Sequence, residues 1–145
     1  MDVPLPLVTP RLTLRPYESG DLDALHDLFG REDVVRYVPW EPMGLDRARE
    51  LLERRLRQTR IDADGDGIVL AAVETETGAM VGEFGLWVSS LEHRQGVVGW
   101  AIHPDRQGRG LATEGAEELL RVGFEVLDMH RIIADSDPRN TPSLR

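Results

Sequence analysis

Residues 97–127 constrain this 145-residue chain most, because an apolar run, a glycine-rich turn and an amphipathic segment follow one another directly. Val97-Val-Gly-Trp-Ala-Ile102 is almost wholly apolar with an internal glycine, which predicts a buried strand carrying a bulge. His103-Pro-Asp-Arg-Gln-Gly-Arg-Gly110 follows as a turn. From Ala112 to Leu127, the apolar residues Ala112, Ala116, Leu119, Leu120, Phe124 and Leu127 recur at helical spacing opposite Glu117, Glu118, Arg121 and Glu125. The first N–H groups of such a helix have no internal partners, and the helix dipole adds partial positive charge there, so the junction is an anion site. Gly108 and Gly110 let the backbone curl and let a bulky anion approach without meeting a Cβ. Arg106 and Arg109 flank the turn as mobile cations, each charge-assisted hydrogen bond being worth about 1.5–3 kcal/mol. The plainer alternative is an ordinary strand-to-helix turn with solvated arginines.

Other phosphate motifs fit poorly. A G-x-G-x-x-G fingerprint begun at Gly108 and Gly110 needs its third glycine where Thr113 stands, and no Gly-Lys-Ser or Gly-Lys-Thr ending of a P-loop occurs. The pattern Q-x-x-G-x-A is complete at Gln107, Gly110 and Ala112. A net charge of -9 argues against a nucleic-acid partner, which would need a basic surface. An acidic surface suits a cationic substrate or simply maintains solubility. With no cysteine, disulfides, a catalytic thiol and cysteine-built metal sites are excluded. No run approaches the roughly 20 apolar residues of a membrane span, and the N-terminus lacks a signal-peptide layout, so no membrane association and a cytoplasmic location are expected.

The length suits a single domain spanning 1–145. Leu5 to Tyr17 alternates as one strand. Ser19-Gly-Asp21 caps a helix with Leu22, Leu25, Leu28 and Phe29 on one face, and a second helix from about Leu45 to Arg60 has Leu51, Leu52 and Leu56 as its apolar side. Ile68–Val73 and Met80–Val88 read as antiparallel strands joined by a turn over 74–79, and Arg131–Asp135 as a further strand. The fold class is therefore α+β.

The stretch Val98-Gly-Trp-Ala-Ile-His-Pro-Asp-Arg-Gln-Gly-Arg-Gly-Leu-Ala-Thr-Glu-Gly-Ala116 resembles the acetyl-CoA motif of the GNAT superfamily of N-acetyltransferases, within it the Rim-type branch acting on ribosomal-protein N-termini. The opening Thr9-Pro-Arg-Leu-Thr-Leu-Arg15, the segment Val34–Pro42 and Asn140-Thr-Pro-Ser-Leu-Arg145, similar to the family's N-x-x-S-x-R, extend the likeness along the chain. The resemblance implies a mixed sheet in a GNAT-like acyl-CoA N-acyltransferase fold, with acetyl-CoA as co-substrate lodged where two neighbouring strands splay apart and no metal. Backbone groups of Trp100, Ala101 and Ile102 then pair with the pantetheine arm. Arg106, Gln107, Gly108, Arg109, Gly110, Leu111, Ala112 and Thr113 hold the pyrophosphate, and Asn140 is a further cofactor contact. Members of the family continue through one more helix and two strands, so the chain reads as C-terminally truncated, with an edge strand open to homodimerisation.

Acetyl transfer to an amine needs a neutral nucleophile, a stabilised oxyanion and a proton for the leaving thiolate. Glu83 and His103 are the candidate bases, each equally readable as a structural residue. Many relatives carry a glutamate where Val97 stands here. Ser143 matches the family's thiolate-protonating hydroxyl, though Asn140 and Ser143 also read as a helix cap. An N–H near Ile102, freed by the bulge, would polarise the thioester, and Tyr37, Trp40 and Trp87 are candidates for an acceptor pocket or for core. Asp62-Ala-Asp-Gly-Asp-Gly67 imitates a calcium loop but has Val73 where the twelfth-position glutamate belongs. The expected activity is direct acetyl transfer to a primary amine, a protein N-terminus or a small molecule. A non-catalytic acyl-CoA-binding module and a generic nucleotide-binding domain are the alternatives.

Overall fold

The computed structural model describes residues 3–30, 44–108 and 110–134. Six strands form one sheet in the order β1 (Leu7–Val8), β2 (Leu12–Pro16), β3 (Gly67–Glu74), β4 (Met80–Ser90), β5 (Gln95–Ile102) and β6 (Arg131–Ala134). Neighbours run antiparallel except β5 and β6, which are parallel. Among the described residues the helices are α1 (Leu22–Phe29), α2 (Leu45–Arg57) and α3 (Leu111–Arg121). The expected α+β architecture with a mixed sheet is the one observed.

The sheet is covered on both faces. Leu12, Leu14, Leu70, Phe84, Leu86 and Val98 pack with Leu111, Leu119 and Val122 on the α3 side. Tyr17, Val69 and Ala71 pack with Leu25, Leu28, Phe29, Leu51 and Leu52 on the side of α1 and α2. Successive β3 residues point to opposite faces, so covering both faces makes its whole run apolar. Each fully buried leucine contributes on the order of 1.5–3 kcal/mol.

Four local expectations need correction. The single strand read over Leu5–Tyr17 is a hairpin: β1 and β2 pair with Leu7 opposite Leu14, and the Thr9 N–H closes the turn on the Leu12 carbonyl. In α2, Leu56 is 39% exposed, whereas Arg55 is buried because a carboxylate waits beneath it. Beyond Arg121 the helix widens through Val122–Val126, where Leu127 N–H bonds the Val122 carbonyl. That extra residue per turn advances the phase, burying Val122 and leaving Phe124 45% exposed. Finally, no bulge occurs at Gly99, since the β4–β5 register is unbroken from Leu86 opposite Val98 to Gly82 opposite Ile102. The irregularities fall on β4 instead, opposite Ala72/Val73 and at Val88/Ser90. A strand glycine also signals close packing, and Gly99 lies opposite Gly85, over which the Trp87 ring is laid.

The acidic loop is tied to its own backbone. Asp66 Oδ2 accepts from the Asp62 and Ala63 N–H groups, and Asp64 Oδ1 accepts from Leu91 N–H. Among the described residues, no group of three or more His, Cys, Asp or Glu side chains is arranged to hold a metal ion. Nor is any helix among them long and apolar enough to cross a membrane.

Candidate active site

Among the described residues, β6 accompanies β5 from Gln95 to Val98. From Gly99 to Ile102, β5 has no strand beside it on that edge among the described residues. Hydrogen-bonded pairs alternate in an antiparallel ladder. The His103 N–H bonds the Val81 carbonyl, so Ala101 and Gly99 exchange bonds with β4, while the main-chain groups of Trp100 and Ile102 face the open edge. The outward direction of these groups follows from strand alternation, with no bulge at Gly99.

The turn that leaves this edge leads straight into α3. Pro104–Arg106 makes one 3-10 turn, and Gln107 Nε2 donates to the Ile102 carbonyl at 3.1 Å, closing the loop. Gly108 and Gly110 adopt φ of +80° and +77°, the left-handed region that favours glycine. Gly110 is the N-cap of α3, without a side-chain cap, and Leu111, Ala112 and Thr113 begin the helix with N–H groups that lack intrahelical acceptors. A β-carbon at Gly108 would meet nothing within 4 Å.

Arg106 does not flank this turn as a mobile cation. Its Nε lies 3.5 Å from Oε2 of Glu74, the last residue of β3, too long for a hydrogen bond but close enough for charge attraction. On the other side, Glu114 in the first turn of α3 is held by Thr9 Oγ1, by Arg11 N–H and by Arg11 Nε, the last two at 2.8 Å. Burial pushes the Glu114 carboxyl up, but the bonds from Thr9 and Arg11 and the Arg11 charge outweigh it and hold the group below its ordinary range.

The two described candidate bases are both engaged. Glu83 is buried on β4: Oε1 accepts from Arg55 Nε at 2.7 Å and from Tyr17 OH at 2.8 Å, and Oε2 accepts from Arg55 Nη2 at 3.2 Å. Burial, then the charge of Glu83, push the Tyr17 hydroxyl well above its ordinary value, so it stays a donor. Oε1 is fully occupied, whereas Oε2 retains a lone pair. At the end of β5, His103 Nδ1 accepts from Asp105 N–H at 3.2 Å, which leaves that nitrogen without a proton. In the neutral ring the proton is then on Nε2, directed at Asp27 Oδ2 2.9 Å away. Both imidazole nitrogens are used, linking α1 to the turn.

Comparison with known proteins decides what this arrangement belongs to. The family model described as an acetyltransferase (GNAT) domain matches residues 11–145. The chain belongs to the GNAT family of acetyltransferases. Membership makes it an acetyl-CoA-dependent acyltransferase domain. It is 28% identical over 140 residues to the uncharacterized N-acetyltransferase p20 of Bacillus licheniformis, covering 96% of this chain and 77% of that protein. It is 27% identical over 135 residues to the spermidine N(1)-acetyltransferase of Escherichia coli, covering 90% of this chain and 67% of that protein. Among solved structures, a GNAT-family acetyltransferase from Bacillus anthracis superposes with a TM-score of 0.83 at 26% identity, over 96% of this chain and 78% of that one. A Vibrio cholerae chain to which ribosomal-protein-serine acetyltransferase activity is ascribed shares the fold, with a TM-score of 0.82 at 22% identity over 99% and 80%.

Several expected site residues of this GNAT domain, Arg109, Asn140 and Ser143 together with Tyr37 and Trp40, lie outside the described residues. Trp100, Ala101, Ile102, Gln107, Gly108, Gly110, Leu111 and Ala112 lie along that strand end and helix start, whereas Glu83 pairs with Arg55 of α2. Trp87 lies flat on the sheet, its ring atoms 2.3 Å from where β-carbons of Gly67 and Gly85 would stand. Sequence reading missed Arg11, Tyr17 and Arg55. The Thr9-Pro-Arg motif marked Arg11 only by likeness, and Arg55 was hidden in an arginine-rich helix.

Proposed function

We propose that this domain transfers the acetyl group of acetyl-CoA to a primary amine by direct attack within a ternary complex. The observation that carries the reading is the meeting of the strand end at Trp100–Ile102, which has no strand on its outer edge among the described residues, with a glycine-capped helix start at Gly110. The residues fit the coenzyme: paired left-handed glycines leave the helix N–H groups approachable, and Gln107 is folded back onto Ile102 rather than into the cradle. Trp100 and Ile102 would hold the pantetheine arm by main-chain bonds, and the amides of Gln107–Thr113 the diphosphate. Acetyl-CoA, when bound, supplies the activated acyl group.

A protein α-amine, with a pKa of about 7.7–8.0, loses its proton near neutrality far more readily than an alkylamine of pKa about 10.4, so a water relayed to Glu83 Oε2 suffices for the former. The engagement of both His103 nitrogens favours a positioning role for that residue. Ser143 is proposed as proton donor to the leaving thiolate and Asn140 as a coenzyme contact. The relatives named for spermidine support a small-molecule amine as acceptor, and the lower pKa of an α-amine favours a protein N-terminus as the alternative.

Release of free thiol from acetyl-CoA, measured with a panel of polyamines, amino-terminal peptides and lysine peptides, tests the reading. Amine-dependent release is expected, and mass spectrometry of the products names the acceptor. CoA binding without release for any amine would favour a non-catalytic acyl-CoA-binding module instead.

A further inference from the structure

Three buried polar side chains, Tyr17, Arg55 and Glu83, interrupt the apolar layer that Leu25, Leu28, Leu51, Leu52 and Val69 build between the sheet and the helices α1 and α2. A buried ion pair adds little net stability, and apolar residues of the same volume often fill a core as well or better. A carboxylate retained there with two donors is therefore a candidate for function. The donors hold it in one way. Arg55 Nε and Tyr17 OH fill Oε1 at 2.7 and 2.8 Å, and Arg55 Nη2 reaches Oε2 at 3.2 Å, so only Oε2 keeps a lone pair for a further donor. Arg55 is itself fixed, because its Nη1 donates to Gln58 Oε1 at 2.7 Å and the Gln58 carbonyl accepts from Val69 N–H on β3. Across the ladder Glu83 stands between Ala71 of β3 and Ala101 of β5, neither of which titrates. Ala71 is fully buried and Ala101 half-buried, so the cover thins toward the strand end at Trp100–Ile102. Asp21, whose charge also acts on Tyr17, is paired through both oxygens with Arg15, and His103, two residues beyond Ala101, is turned to Asp27.

We propose that Tyr17 and Arg55 are positioning residues for acetyl transfer, closing Oε1 of Glu83 so that a proton from the acceptor amine reaches the carboxylate at Oε2 alone. The proposal rests on the reading of Glu83 as the base. The amine gives its proton to a water and that water gives one to Oε2, which frees the nitrogen lone pair for attack. Glu83 returns the proton to solvent once the acetyl group has moved. The Tyr17 hydroxyl keeps its own proton, because burial and the Glu83 charge push its pKa well up, so it is a fixed donor and not a relay.

The pH dependence of kcat, at saturating acetyl-CoA and with the amine that releases thiol fastest, tests it for wild type, Tyr17→Phe, Arg55→Lys, Glu83→Gln and the double variant Tyr17→Phe/Glu83→Gln. Removing a donor to the charged carboxylate lets it take up a proton more readily. The acid limb of Tyr17→Phe should therefore move to higher pH by about one to two pH units, the scale of one hydrogen bond to a charged group, with KM for acetyl-CoA unchanged. The double variant should be no slower than Glu83→Gln, because Tyr17 acts through Glu83. A purely structural Tyr17 would lower the Tm on substitution and leave the acid limb in place, so an unmoved limb in Tyr17→Phe overturns the proposal. Losses that multiply in the double variant overturn it too, since Tyr17 would then act by another route. If Tyr17→Phe does not fold, Arg55→Lys, which keeps the charge but not the two-pronged contact, must show the same upward movement, and a wild-type limb there overturns the proposal equally. Wild-type kcat in Glu83→Gln refutes the reading of Glu83 as base, a failure distinct from a slow Glu83→Gln beside an unmoved Tyr17→Phe.

Discussion

Gly115→Ala reverses the usual sign of a glycine-to-alanine change in a helix. In an exposed helix interior the substitution stabilises by roughly 1 kcal/mol, because alanine loses less backbone freedom on folding. In α3, however, the new β-carbon would stand 2.2, 2.4 and 2.6 Å from Phe84 Cζ, Cε2 and Cε1. Carbon contacts are optimal at about 3.5–4.0 Å, so ring and helix must separate by more than about 1 Å. Phe84 is fully buried, and close-packed interiors yield poorly to such a shift. Overpacking costs typically about 1–3 kcal/mol and sometimes more. Set against the propensity gain, the upper part of that range leaves a net loss of about 1–2 kcal/mol, or about 2–8 °C in Tm for a chain of this size. The same displacement moves the start of α3, so CoA affinity should fall as well. Thermal melting and calorimetry read the two effects, and Phe84→Leu in the Gly115→Ala background should recover part of both by vacating the ring's outer edge. A rise in Tm on Gly115→Ala alone would refute the reasoning.

Other substitutions probe the cradle and the buried charges. Gly110→Asp should abolish CoA binding in calorimetry, since it sets a carboxylate where a phosphate is to sit, and unchanged affinity would count against the coenzyme site. Arg55→Met strands Glu83 as a buried, unpaired carboxylate and should cost about 3–5 kcal/mol in denaturant unfolding, a loss under about 1 kcal/mol contradicting a desolvated pair. Glu83→Gln should lower kcat while leaving CoA affinity unaltered, which an unchanged kcat would disprove. The lowered carboxyl of Glu114 contributes stability that is complete above pH 4.5 and lost as pH falls through its folded value. Melting curves should therefore drop more steeply in acid for wild type than for Glu114→Gln, and parallel acid limbs would contradict the assignment.

The strand, turn and helix around the cradle are legible in the amino-acid sequence because local chemistry makes them. Glycine spacing, an apolar run and a helical period are properties of neighbouring residues, and Gly108 and Gly110 adopt the left-handed conformation that only such a turn demands. The hairpin of β3 and β4 is readable for the same reason. Leu56 and Phe124 are misread because periodicity assumes an unchanging helix and an apolar partner. A widened turn shifts the phase of Phe124, and the Glu83 carboxylate draws Arg55 inward in place of Leu56.

By itself, then, the amino-acid sequence determined the class of fold, the placement of the glycine-rich turn and the family likeness, all of which rest on contacts within a few residues. Only the tertiary structure decided which charged side chains meet one another. Arg11 and Glu114 lie 103 residues apart, and Glu83 is separated from Arg55 by 28 and from Tyr17 by 66. Whether an arginine meets a carboxylate, a ring or solvent depends on which strand the chain lays beside it, and no local pattern encodes that.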